Sequence, residues 1–174
     1  MRRVSLNARA ALEAASSAEV EVALFVIEHP SLATPIRLST DPTERLTTEP
    51  LAYGTRSAWM GANPATQPYL FILASVELPG DQEDAPAAGT IVLENAVSQV
   101  AALLRGFTDR PVVSMAVVLA SSPDVVEVEY RGLKMIGAQG TAGEITLQIS
   151  RAPIEDEAVP MDRFTKDRFP GLFR

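Results

Sequence analysis

The sequence predicts a mainly β protein of the α+β kind: an antiparallel β-sandwich or barrel with one packed helix, a short N-terminal helix and an extended C-terminal arm. Three observations carry this prediction. Apolar residues repeatedly alternate with polar ones over short runs, the period of a strand with one buried face. Clusters of Pro, Gly, Asp, Asn and Ser separate those runs, as turns require. A sustained helical spacing with a strong cap signal occurs in one place, after Asn95.

Residues 7–18 are rich in alanine, with Asn7 as N-cap and Ala8, Ala11, Leu12 and Ala15 at helical spacing, which predicts a short helix. In 20–28 both alternating sets are apolar, Val20, Val22, Leu24 and Val26 on one face and Ala23, Phe25 and Ile27 on the other, as in a central strand. His29-Pro30 ends it, because proline supplies no ladder donor. A second short strand is expected over 36–38, before Asp41-Pro42, and a Thr-rich piece leads into Leu51-Ala52-Tyr53-Gly54 as a hairpin. Residues 55–67 show neither period and hold the single tryptophan, Trp59, so they read as a loop with an anchored aromatic.

Residues 69–78 alternate, with Leu70, Ile72, Ala74, Val76 and Leu78 on one side, and form the longest strand candidate. The acidic turn 81–86 separates it from a strand at 90–94. Val97, Val100, Leu104 and Phe107 then define the clearest helix, 96–107, capped by Asn95 and stopped near Gly106. Residues 112–120 are apolar on both faces apart from Ser114, a second central strand. The runs at 126–130, 133–136 and 145–149 predict three antiparallel strands in a meander, with Gly137, Gly140 and Gly143 as hairpin-turn residues. Residues 1–150 therefore form the β-rich domain and 151–174 the arm.

The arm carries Pro153, the run Glu155-Asp156-Glu157, Pro160 and then Phe164, Phe169 and Phe173 in a basic setting. An exposed phenylalanine forgoes roughly 1.5–3 kcal/mol of burial, so this segment is expected to dock. Pro and charge runs separate the aromatics from the last strand and give them reach, which favours grooves on neighbouring subunits over intramolecular packing.

Composition narrows the chemistry. The 174 residues, 47% hydrophobic and 21% charged, match a globular domain with a real core. Fifteen basic against twenty-two acidic side chains give a net charge of −7, which repels phosphate backbones and argues against nucleic-acid binding by the free chain. No cysteine is present, so disulfides, thiolate metal sites and cysteine nucleophiles are excluded. The Arg2-Arg3 start is followed by Asn7, Arg9 and Glu13 rather than an apolar stretch, so no signal peptide is expected. The most apolar stretches fall well below the ~20 residues of a spanning helix, which predicts a soluble chain.

One histidine, His29, excludes multi-histidine zinc sites, and its place before Pro30 suits a surface or strand-end residue. No P-loop, nucleophile elbow or dinucleotide motif occurs. Carboxylate pairs keep glycoside hydrolysis open, with Asp81 to Asp84 as candidate acids, although that turn also reads as simply solvated and lacks the spacing of a calcium loop. Trp59 is either a ligand contact or interface anchor, or an ordinary packed tryptophan.

Several segments in shared order carry a resemblance: Ala8-Arg9-Ala10-Ala11-Leu12, Ile27-Glu28-His29-Pro30 with Pro35-Ile36-Arg37, the turn from Leu78-Pro79 to Pro86 leading to Leu93-Glu94-Asn95, Leu119-Ala120-Ser121-Ser122-Pro123-Asp124, and the ending Arg163-Phe164-Thr165-Lys166-Asp167-Arg168-Phe169-Pro170-Gly171-Leu172-Phe173. Spanning nearly the whole chain, they resemble a numbered family of phage-encoded proteins of unknown function found among tail-assembly genes. The resemblance implies a structural, non-enzymatic component of the tail tip or baseplate of a long-tailed phage, a minor tail protein of the virion put together in the host cytoplasm. It implies a role related to that of the proteins that join the tail tube to the central hub; as mechanism, copies are expected to assemble into a homo-oligomeric ring, as symmetric oligomers do, in contact with the distal tail protein and the hub or tail fibre protein. Some minor tail proteins in a comparable position carry a cysteine-bound iron–sulfur cluster in an additional domain; this chain has neither cysteines nor that length, and no cofactor is expected. The alternatives are an assembly helper that leaves before the particle matures, and a carboxylate-based cell-wall hydrolase.

Overall fold

The structure is a computed structural model and describes residues 4–77, 88–94, 106, 109–141, 144–151, 168 and 171. The predicted helix at 96–107 apart from Gly106, the acidic turn 81–86, the turn residue Gly143 and Phe164, Phe169 and Phe173 lie outside the described residues.

One helix and ten strands are described: α1 (Leu6–Glu13), β1 (Glu21–Glu28), β2 (Ile36–Ser39), β3 (Glu44–Thr48), β4 (Leu51–Thr55), β5 (Tyr69–Phe71), β6 (Leu73–Glu77), β7 (Ala88–Glu94), β8 (Val112–Leu119), β9 (Ser122–Gly140) and β10 (Glu144–Ser150). All ten strands join one sheet in the order β3-β4-β5-β2-β1-β8-β9-β10-β7-β6. The mainly β class therefore holds, and the architecture is a single mixed sheet rather than two stacked ones. Its one parallel pair is β2 with β5, where Leu38 lies opposite Leu70 and Ser39 opposite Phe71.

The two runs with apolar residues on both faces are central strands. β1 pairs with β2 on one side and with β8 on the other, from Glu21 opposite Leu119 to Glu28 opposite Val112. Alternation sends Phe25 and Ile27 into one core with Leu38, Ile91, Leu93, Val113, Met115, Leu133, Ile145 and Leu147. Val22, Leu24 and Val26 enter a second core with Ala116, Val118, Trp59, Ala62 and Tyr69. The first core gathers side chains from strands far apart in the sheet, so the sheet is curled around it. Segment 69–77 bridges the curl: Tyr69–Phe71 lies beside β2 and β4, and Leu73–Glu77 lies beside β7.

Several local expectations change. Ser5, not Asn7, caps α1, its hydroxyl accepting from the Ala8 N–H at 3.1 Å, and the helix stops at Glu13 before the serine pair at 16–17. The run 69–78 is interrupted at Ile72, where its pairing passes from β2 to β7, and the longest strand is β9, at 19 residues. Gly132 does not divide β9. Its φ of 69° is left-handed, and Ser114 faces both Arg131 and Gly132 in a bulge where the Ser114 hydroxyl accepts from the Gly132 N–H at 3.4 Å. The runs 126–130 and 133–136 are thus one bent strand, and β8-β9-β10 is the meander. Gly137 and Gly140 lie inside β9, opposite Gln148 and Ile145, rather than in the turn.

Candidate interaction surface

The loop from Arg56 to Pro68 lies over the second core and is tied down residue by residue. Ser57 is fully buried, donating from its hydroxyl to the Pro123 carbonyl at 2.8 Å and accepting the Trp59 N–H at 3.1 Å. The Ala58 N–H donates to Asp124 Oδ1 at 2.7 Å. A single 3₁₀ turn, Trp59–Gly61, then drops the indole onto Val22, Leu24, Ala116 and Val118. The left-handed Met60, with φ 54°, makes that turn possible. Loop polar groups that would otherwise be unmet are satisfied locally, which is why a segment without periodicity holds one conformation.

Trp59 is 6% exposed, its ring packed in the second core. Its indole Nε1–H donates to Glu129 Oε2 at 3.2 Å, and Arg131 Nε donates to the same oxygen at 3.0 Å. Burial raises the Glu129 carboxyl pKa, but the Trp59 and Arg131 hydrogen bonds and the Arg131 charge outweigh it and hold the group below its ordinary value. Burial pushes the Tyr69 phenol up, partly opposed by the charge and hydrogen bond of Arg37.

His29 follows the last residue of β1, as the sequence suggests, and its Nδ1 lies 2.6 Å from the Ser31 hydroxyl. With Glu28, Pro30, Leu32, Pro35 and Val112 it lines a cleft of about 300 Å³. The rim is chiefly aliphatic, and no serine, threonine or cysteine lies among those lining residues. Among the described residues no group of three or more His, Cys, Asp or Glu is placed to hold a metal ion, and no helix is long and apolar enough to cross a membrane.

The surface feature that sequence reading did not isolate is apolar. Leu51, Tyr53, Leu70, Phe71 and Leu73 are exposed by 61, 38, 50, 36 and 54%. They belong to β4, β5 and the start of β6, joined through the pairs Gly54–Leu70 and Thr55–Tyr69. Strand alternation puts Leu51, Tyr53 and Phe71 on one face of the β4–β5 pair and Leu70 on the other, and exposed apolar residues that share a face mark contact sites more often than scattered ones do. Alternation hid them, because Leu70 and Leu73 read as members of an ordinary strand and only long-range pairing leaves them uncovered.

No protein-family model and no curated protein matches the chain.

Proposed function

We propose that this chain is a structural subunit of the tail tip or baseplate of a long-tailed phage, assembling in a ring that connects the tail tube or distal tail protein to the central hub. The observation that supports the proposal is the exposed apolar set Leu51, Tyr53 and Phe71 on one face of β4–β5, with Leu70 exposed on the other face and Leu73 at the start of β6, in a sheet whose described strands end at β3 and β6. Such a surface suits lateral contact with other proteins better than it suits turnover of a small substrate. The phage-family resemblance of the sequence gives the assembly its place. The aromatic arm of 151–174, with Phe164, Phe169 and Phe173, supplies a second contact in which each copy docks on its neighbour. A wall with net charge −7 repels phosphates passing through a central conduit.

The test is mass spectrometry of purified particles of the encoding phage, combined with cryo-EM of the tail end. The expected result is the chain present as a symmetric ring between tube and hub. Its absence from the particle overturns the structural role and leaves the assembly helper. Particles assembled normally with a chain truncated at Arg151 would remove the arm from the account.

A further inference from the structure

The two ends of the sheet are not equivalent. β3 is guarded: it carries Glu44 and Arg45, its register against β4 shifts between Arg45 and Thr47, and Glu44 is engaged by Arg56. Charges and bulges of this kind are how edge strands resist pairing with another chain. β6 has none of these devices. Its five residues, Leu73, Ala74, Ser75, Val76 and Glu77, pair with β7 in unbroken register from Leu73–Glu94 to Glu77–Thr90. Only Glu77 is charged, and no proline or bulge interrupts the strand. Ala74 and Val76 point to the first core yet are only half-buried, and among the described residues no strand lies beyond them in the sheet.

We propose that β6 pairs antiparallel with β6 of a second copy, about a two-fold axis at Ser75, so that two sheets become one. The strand is its own complement in that register. Ser75 lies opposite Ser75 of the partner subunit, and Ala74 meets Val76 of the partner subunit, continuing the core-facing row. Leu73 meets the methylenes of Glu77 of the partner subunit. The two Glu77 carboxylates then sit four residues apart along the pair, ~13 Å, beyond the ~10 Å screening length at 0.1 M salt. A second copy fits better than β3 of a neighbour, whose bulge breaks the register and whose Arg45 lies exposed on that edge. The contact is isologous, belongs to the chain by itself, and goes beyond the proposed ring, whose contacts run head to tail.

The experiment is light scattering on the purified full chain and on Ser75→Lys and Ser75→Glu. Ser75 faces outward and is exposed, so both variants keep the fold, which Trp59 fluorescence checks. The wild type is expected at an even multiple of 18.7 kDa. Each variant is expected at half the wild-type mass, because like charges face one another across the axis. An equimolar mixture of the two variants is expected to recover the wild-type mass, since Lys then faces Glu. A wild type that stays monomeric throughout a dilution series overturns the proposal. So does a Ser75→Lys protein that keeps the wild-type mass, or a mixture that fails to recover it. None of these outcomes depends on whether the chain is found in a phage particle.

Discussion

The Tyr69 hydroxyl donates to the Trp59 carbonyl at 2.6 Å, while the two rings pack with centroids 6.0 Å apart and planes tilted by 33°. One residue thus satisfies the backbone of the 3₁₀ turn and covers the indole that the turn presents. Tyr69→Phe keeps the ring and removes one of two donors to that carbonyl, the other being the Ala62 N–H at 3.3 Å, at a cost of about 0.5–1.5 kcal/mol. Urea unfolding followed by the fluorescence of Trp59, the only tryptophan, should show the lower midpoint. An unchanged midpoint would mean that water replaces the hydroxyl.

Gly54 and Gly132 both have positive φ, at 155° and 69°, but for different reasons. A Cβ on Gly54 would fall 1.9 Å from the Tyr69 carbonyl oxygen, whereas a Cβ on Gly132 meets nothing within 4 Å. Gly132→Ala therefore carries only the left-handed conformational cost, about 1–2 kcal/mol. Gly54→Ala forces β4 away from β5 and should be the far more damaging change. Comparing thermal midpoints and soluble yield of the two variants tests this, and equal losses would contradict it.

The strands legible in the sequence were those whose pattern is local. β1 and β8 announce themselves by two apolar faces, since a strand hydrogen-bonded on both sides and covered on both faces has no solvent side. β9 reads in the sequence as two runs on either side of Gly132, and only the facing Ser114 shows that they are one strand with a bulge. Trp59 could not be placed because 55–67 lacks a period, and its partners Ser57, Tyr69 and Glu129 come together through pairing distant in sequence. The exposure of Leu70 and Leu73 is likewise a property of strand order.

Glu127 was illegible for a related reason. Alternating with Val126 and Val128 it reads as solvent-facing, yet the β8 partners step from Val118–Val126 to Val117–Val128, leaving Glu127 as the extra residue of a bulge and 6% exposed. Its Oε2 accepts the Ser5 N–H at 2.6 Å, anchoring the cap of α1, a helix that buries only Ala8. With so little apolar contact, α1 depends on that bond. Glu127→Ala should lower hydrogen-exchange protection across α1 by about 1.5–3 kcal/mol, the value of a hydrogen bond to a charged group. Glu127→Gln retains an acceptor and should lose less. Equal protection in all three proteins would show that α1 is held by something else.

Glu129 supplies a prediction in pH. Its folded-state pKa is held below the ordinary 4.5 by Trp59 and Arg131, after the opposing effect of burial. A depressed carboxyl pKa means that the folded state binds its proton later than the unfolded chain does. Its contribution is therefore fully present above the ordinary value and is lost as pH falls through the folded value. Between neutral pH and pH 3 the wild type should lose stability in a window that begins near 4.5 and extends below it. Glu129→Gln lacks that titration and should show a shallower decline over the same window. Because Trp59 donates to this carboxylate, its emission should also shift with pH in the folded wild type and not in the variant. Parallel stability curves for the two proteins would mean that the indole contact contributes nothing, and the loop would then rest on Ser57, Asp124 and Tyr69.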